Sequence, residues 1–281
     1  MMHVAEHYTM SPGDFRKLSL HIEQRYGIQL PITKKNMVES RLQKRLKHLQ
    51  CTSFRTYFEF VFSEKGRSTE YLQMLDLITT NKTNFFREKM HFEFLRDEIL
   101  PKLWNLKSSS NPLKIWSAAC SSGEEVYSIG ITIESFASTQ GNVPYQLLGT
   151  DLSTRMLSQA LSAVYPLSTV DELSQSLKRK YFLKSKDPQQ PKVRIIKEIR
   201  NKAVFRRLNL LEETHQVKQQ FDVIFCRNVL IYFNKTNQKI VLNQLIDHIA
   251  PRGYLLIGHS ESLTGLNLPV QQIKPTIYQK I

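Results

Sequence analysis

The sequence predicts an α/β chain in two parts, a small N-terminal helical domain followed by a domain built on a parallel sheet. Three features carry that expectation. Helical apolar stripes with no strand among them fill the first 75 or so residues, a turn of small residues at 118–123 joins a strand to a helix, and further apolar runs end in polar residues at Asp151 and Arg227. Apolar runs with polar ends are what buried parallel strands present at their binding edge. At 281 residues and 41% hydrophobic content the chain can bury two cores.

Taken in order, Ser11-Pro12-Gly13-Asp14 is a helix entry with proline in the first turn. Phe15, Leu18, Leu20, Ile22 and Tyr26 follow as a rough apolar stripe. Residues 33–48 read as a basic helix, with Lys34, Lys35, Arg41, Lys44, Arg45 and Lys47 against one acid, Glu39. Val38, Leu42, Leu46 and Leu49 make its apolar stripe, and Arg41, Lys44, Arg45 and His48 fall together beside it. A net charge of +14 and a pI near 9.6 call for an acidic partner. The basic face is therefore either an ordinary solvated one or a docking surface for an anionic helix or nucleic acid. Thr52-Ser53 can cap a helix carrying Phe54, Tyr57, Phe58, Phe60 and Val61; residues 63–68 break the pattern and residues 71–77 resume it. Short helices without a strand partner predict a compact bundle.

Next comes Thr79-Thr80-Asn81-Lys82-Thr83-Asn84-Phe85-Phe86-Arg87-Glu88. Its Thr and Asn residues favour turns and backbone capping, but a linker seldom needs two adjacent phenylalanines. The expectation is a loop folded back over a ligand, anchored by the Phe pair with its polar groups turned inward. A helix over residues 91–100 follows, which Pro101 stops or kinks.

Residues 113–117 read as a short buried strand, and Val126, Ile129, Ile131, Ile133 and Phe136 as the helix after it. The small residues between them let a ligand approach the backbone, with the unpaired N–H groups of a helix N-terminus behind. Both G-x-G-x-x-G and G-x-x-x-x-G-K-[ST] are absent. Glu124 and Glu125 at the helix start would repel a phosphate but would welcome a cationic group. Residues 144–151 form a second strand ending in Asp151, placed to accept both ribose hydroxyls of an adenosine. A nucleoside with no phosphate and a positively charged tail describes S-adenosylmethionine; an ordinary α/β turn with two dipole-stabilising glutamates fits the stretch equally well. Cys51, Cys120 and Cys226 include no C-x-x-C pair, so neither a disulfide framework nor a zinc site is supported. The N-terminal residues lack a leader's basic and apolar regions, and no apolar run approaches ~18 residues. The expectation is a cytoplasmic protein with no membrane span and no metal.

Three blocks then stand out together: residues 79–88 as quoted, Trp116-Ser117-Ala118-Ala119-Cys120-Ser121-Ser122-Gly123-Glu124-Glu125-Val126-Tyr127-Ser128, and Cys226-Arg227-Asn228-Val229-Leu230-Ile231-Tyr232-Phe233. They resemble the signature blocks of the chemotaxis receptor methyltransferases, the CheR family, in that family's order and spacing, and the resemblance runs from about residue 10 to the C-terminus. It implies a helical domain over 1–78, a cofactor-covering segment over 79–108, and a Rossmann-like class I methyltransferase domain over 109–281 with a small β-subdomain inserted at about 166–205. It implies a monomer that transfers a methyl group from S-adenosylmethionine to glutamate carboxylates on chemoreceptor helices, leaving S-adenosylhomocysteine.

Carried over by position, the resemblance puts Asn81, Thr83 and Arg87 at the methionine end of the cofactor, with Glu125 or its neighbour Glu124. Asp151 takes the ribose, Asn209 and Leu210 flank the adenine, Arg227 and Asn228 close the site, and Tyr232 stands near the transferred methyl. Arg87 and Tyr232 are expected to orient the incoming carboxylate, and Arg41, Lys44, Arg45 and His48 to dock the receptor helix. Val126 stands where the family commonly has proline, and Cys120 and Ser122 where it varies among small residues.

The rest of the chain agrees. Residues 221–226, 253–258 and 276–280 read as strands and residues 241–249 as a helix. Over residues 163–207 twelve Lys and Arg stand against four acids. Family members that grip a receptor's C-terminal peptide in the inserted subdomain tend to carry glycines in its loop. Residues 184–191 have none, which puts that contact in question. A glutamate acceptor, with an ordinary pKa of ~4.3, is already ionised and needs alignment more than a general base. Two rival functions exist. A nucleic-acid methyltransferase would suit the charge, but neither an Asn-Pro-Pro-Tyr type of motif nor an aromatic-interleaved basic stretch is present. An S-adenosylmethionine-binding adaptor would not need Arg87, Asp151, Asn228 and Tyr232 all intact.

Overall fold

The computed structural model describes residues 8–108, 110–141, 144–212 and 217–281. The N-terminal residues read above for a leader lie outside them. The chain divides into two compact units, Met1–Thr80 with Tyr232–Asn234, and Asn81–Ile231 with Lys235–Ile281.

The first unit is helical: α1 (Pro12–Tyr26), α2 (Lys35–His48), α3 (Phe54–Phe62), α4 (Glu64–Thr69) and α5 (Tyr71–Ile78). Local chemistry sets the boundaries. Ser11 Oγ accepts the Asp14 N–H at 3.0 Å to start α1, and Gly27, at φ 69°, ends it by bonding the Glu23 carbonyl. Ser53 and Thr56 form a reciprocal capping box on α3. The stretch expected to break the helical pattern is itself a helix, because Ser63 Oγ accepts the Gly66 N–H at 3.1 Å and starts α4. Only glycine fits at 66, since a Cβ would stand 1.8 Å from the Phe60 carbonyl oxygen. Phe15, Leu18, Ile22, Val38, Leu42, Leu46, Tyr57, Val61 and Met74 make the core. Leu20, read as part of the α1 stripe, is 51% exposed, because two residues past Leu18 is the far side of the helix.

The second unit opens with a helical run in three pieces, α6 (Met90–Phe94), a π-helical turn (Leu95–Ile99) and α7 (Leu100–Leu103). Pro101, expected to stop or kink this run, does not stop it, and the irregularity is the π-helical turn just before it. The Leu100 N–H reaches back to the Leu95 carbonyl, and this wider turn gives the pyrrolidine ring room. The remaining elements are β1 (Leu113–Ala118), α8 (Glu124–Gln140), β2 (Tyr145–Asp151), α9 (Thr154–Ser162), β3 (Val164–Pro166), α10 (Gln175–Tyr181), β4 (Phe182–Lys184), β5 (Lys192–Ile195), α11 (Lys197–Arg200), β6 (Ala203–Arg207), β7 (Phe221–Cys226), α12 (Lys235–Asp247), β8 (Ile249–Ile257), β9 (Val270–Lys274) and β10 (Ile277–Lys280).

The main sheet has the order β6-β2-β1-β7-β8-β10-β9, parallel from β6 to β8, with β10 and β9 antiparallel at one edge. A separate small antiparallel sheet, β3-β5-β4, occupies residues 164–195. The segment expected to be inserted over 166–205 therefore divides, for β6 belongs to the main sheet. Strand β1 lies between β2 and β7, so the chain leaves it in opposite directions. In open α/β sheets ligands bind at such a reversal, outside the carboxyl ends of the strands, here those of β1, β2 and β7. Trp116 is fully buried in β1, its Nε1 donating to Thr150 Oγ1 at 2.9 Å across to β2.

Candidate active site

The loop at the carboxyl end of β1 is held in a strained conformation. Ala119 (φ 63°), Ser121 (φ 50°) and Gly123 (φ 92°) all take left-handed backbone angles, which non-glycine residues adopt only where the surroundings impose them. Several bonds impose them here. The Ser121 N–H donates to Asp151 Oδ2 at 2.8 Å, Ser121 Oγ to the Asn81 carbonyl at 3.0 Å, and Tyr165 OH to the Ser122 carbonyl at 2.8 Å. A Cβ at Gly123 would lie 2.8 Å from that of Ala160 in α9, so the loop is packed from below while its small side chains leave its backbone approachable. Asp151 also accepts the Ser153 N–H, at 2.9 Å through Oδ1. These backbone donors hold the carboxylate in place at the end of β2.

The two glutamates that open α8 part company. Glu124 is 5% exposed, accepts Ser122 Oγ at 2.7 Å, and has its carboxyl pushed up by burial. Glu125, one residue on and about 100° around the helix, accepts Ser117 Oγ at 2.7 Å and Arg227 at 2.8 Å. Of the two, Glu125 is the more accessible, with its side chain 14% exposed, and Glu124 lies in the packed interior.

Arg227, expected to close the site, is an internal strut. Its side chain is 1% exposed, donates to Glu125 and to Glu88 at 2.8 Å each and to the Arg87 carbonyl, and lies over the Phe92 ring. Glu88 also accepts Asn228 Nδ2 at 3.1 Å and the His259 N–H at 3.2 Å. Burial alone would raise the Glu88 carboxyl, yet Arg227 and the other donors hold it down to about 2. Phe86, Glu88 and Asn228 share the left-handed backbone, with φ between 55° and 60°. Glu261 fixes the turn after β7, accepting the N–H groups of Asn228 at 3.0 Å, Val229 at 2.9 Å and Leu230 at 2.7 Å, together with that of Gly258. Burial raises its carboxyl in spite of those donors.

The 79–88 loop is pinned by its phenylalanines. Phe85 meets Tyr165 and Phe182 edge-on at 5.0 and 5.2 Å, Phe86 meets Phe92 at 5.2 Å, and the Phe86 N–H donates to Ser128 Oγ at 2.9 Å. Asn81 and Thr83 are half-buried, and Arg87 donates to the Lys82 carbonyl at 2.9 Å. The Leu208 N–H bonds the Asp151 carbonyl at 3.0 Å, which brings Asn209 and the buried Leu210 to the end of β2.

Residues 13–79 match the CheR methyltransferase all-alpha domain, and residues 81–279 the CheR methyltransferase SAM-binding domain. The chain belongs to the CheR methyltransferase family. It is 37% identical to a chemotaxis protein methyltransferase of Borreliella burgdorferi over 96% of this chain and 95% of the relative. It is 37% identical to chemotaxis protein methyltransferase 2 of Pseudomonas aeruginosa (97% and 94%), and 35% identical to the chemotaxis protein methyltransferase of Escherichia coli (99% and 94%).

S-adenosylmethionine is the cofactor of this CheR-family chain, and the donor set fits it: acceptor-only carboxylates at Asp151 and Glu125 lie at either side of a loop too small to block a nucleoside. No helix among the described residues is long and apolar enough to cross a membrane.

Two sets of expected site residues belong to the helical unit. Tyr232 groups with the helical unit, where its carbonyl accepts the Gln29 N–H at 2.8 Å. The four basic residues do not form one free face. Arg41 donates to the carbonyls of Leu77, Ile78 and Thr79 at the end of α5, and Arg45 clasps Glu70 with two bonds. Both guanidiniums are turned inward onto their own unit, while Lys44 and His48 are exposed, as is Lys47.

Glu88 and Glu261 carried no role in the sequence reading. Glu88 is in the block that carries the resemblance, but its partners are remote in sequence. Glu261 had one readable signal: Gly258-His259-Ser260-Glu261 is a polar run at the carboxyl end of a buried strand, the same edge that Asp151 and Arg227 mark.

Proposed function

We propose that this CheR-family chain is a protein-glutamate O-methyltransferase acting on the cytoplasmic helices of chemoreceptors. The observation that carries the reading is the pair of fixed carboxylates, Asp151 and Glu125, flanking a strained loop of small residues. When bound, S-adenosylmethionine supplies an electrophilic methyl group on a sulfonium. In this reading Asp151 accepts the ribose hydroxyls, Glu125 faces the ammonium of the methionine end with Asn81 and Thr83 beside it, and Leu210 packs the adenine with Asn209. The Arg227 strut keeps Glu125 and Asn228 in place rather than meeting the cofactor. Arg87 orients the acceptor carboxylate. A carboxylate nucleophile arrives ionised, so the protein's task is alignment and exclusion of water. Lys44 and His48, with Lys47, favour encounter with an anionic helix.

The test is incubation with radiolabelled S-adenosylmethionine and receptor cytoplasmic fragments, followed by alkali. Ester formation predicts label released as methanol and lost when the receptor glutamates are changed to alanine. Alkali-stable label, or label in added nucleic acid instead of receptor, overturns the reading.

A further inference from the structure

Beside the strut, and unused by the methyl-transfer reading, lie three side chains from two distant parts of the sequence. Glu88 and His91 sit three residues apart where α6 begins, and His259 follows β8. Their ligating atoms all fall within 4.8 Å of one another.

His91 is the informative member. Its side chain is 0% exposed, and its Nε2 lies 2.8 Å from Thr276 Oγ1. The one hydroxyl proton of Thr276 goes to the Pro275 carbonyl, at 2.6 Å. Thr276 must therefore accept from His91, which puts the imidazole proton on Nε2 and leaves Nδ1 as a bare lone pair. That Nδ1 is buried without a hydrogen-bond partner and faces Glu88 Oε2 at 3.5 Å. Glu88 Oε2 already accepts Arg227 at 2.8 Å and the His259 N–H at 3.2 Å, but neither supplies a partner for Nδ1, and an orphaned buried acceptor costs stability.

We propose that Glu88, His91 and His259 form a binding site for a divalent transition-metal ion of the zinc class. Two imidazoles and one carboxylate are a donor set that zinc takes in sites with an open fourth position. Ligand bonds of about 2.0–2.1 Å in a tetrahedron put donor atoms a little over 3 Å apart, close to the 3.5 Å between His91 and Glu88 and the 3.9 Å between Glu88 and His259 Nε2. The Nε2–H of His91 held by Thr276 is the outer partner that orients a ligating histidine. The His259 ring is 47% exposed and leans on Met90 Sδ at 3.1 Å, a weak contact that a metal replaces. Its backbone N–H is already bonded to Glu88, so only the ring has to turn. Arg227 is the opposing charge and bonds the same Glu88 oxygen, but Glu88 and Glu125 together outweigh it by one negative unit.

The experiment is titration of the chelator-stripped full-length protein with Zn2+ against a chromophoric competitor, repeated with Co2+ and read by its visible bands. The expected result is one equivalent bound with micromolar affinity or tighter and a tetrahedral Co2+ spectrum. His259→Ala, at an exposed position, should keep the metal-free melting temperature and lose on the order of 100-fold in affinity. Thr276→Val should lose about 10-fold, the scale on which outer partners act, and Thr276→Ser should keep the wild-type value. Binding of less than one equivalent, or affinity unchanged in His259→Ala because the ion sits on other histidines or on Cys51, overturns the proposal.

Discussion

In an Arg45→Ala variant the carboxylate of Glu70, 2% exposed, loses both guanidinium bonds and keeps only the hydroxyl of Tyr57, 3.0 Å away. Removing one partner of a buried ion pair costs about 3–5 kcal/mol, because the other charge is left uncompensated. The Arg45 side chain is 20% exposed, so water screens part of the pair and about 2–4 kcal/mol is the better expectation. One kcal/mol moves the midpoint of a 60–100-residue domain by roughly 4–8 °C, so the helical unit's transition in differential scanning calorimetry should fall by about 8–30 °C. A compensated Arg45→Met, Glu70→Gln double variant should recover part of that loss, since no charge is stranded. An Arg45→Ala protein that melts within about a degree of the parent, yet shows a raised apparent KM for receptor, would refute the structural role and restore Arg45 to the docking face.

The other expectations are briefer. Asp151→Ala should weaken S-adenosylhomocysteine binding by roughly 1.5–3 kcal/mol, the scale of hydrogen bonds to a charged group, read as a smaller ligand-induced rise in melting temperature; an unchanged rise would exclude Asp151 from the site. Arg87→Ala should lose methylation rate even at saturating cofactor, and a variant that binds cofactor normally and methylates at full rate would remove Arg87 from the acceptor side. Lys44→Glu should raise the apparent KM for receptor and alter its salt dependence without touching cofactor affinity, whereas identical kinetics at low salt would sink the docking role. Burial raises the Glu124 carboxyl above its ordinary value, so the folded state binds that proton more readily than the unfolded chain does, and stability is lost as pH rises from the unfolded value through the folded one. Glu124→Gln should accordingly raise the melting temperature at neutral pH, with a gain that shrinks as pH falls into the carboxylate range; a variant less stable at every pH would contradict this.

What the sequence determined by itself was whatever depends on residues close together along the chain. The Ser11 and Ser53 caps, the strand that runs into a turn of small residues, the acid ending β2 and the three blocks that carry the family resemblance are all local patterns, set by backbone sterics and side-chain period. The tertiary structure decided the partners of charges. Nothing within a few residues of Arg45 announces Glu70, and nothing near Arg227 announces Glu88. A guanidinium on a flexible stem reads as exposed until a buried carboxylate from elsewhere claims it. The same holds for Glu124 and Glu125, equal in sequence and about 100° apart on a helix, where only the packing of α8 against its neighbours decides which is buried and which is the more accessible. His91 and Thr276 meet across most of the chain's length, and the proton that their contact assigns is visible only once the fold has brought them together.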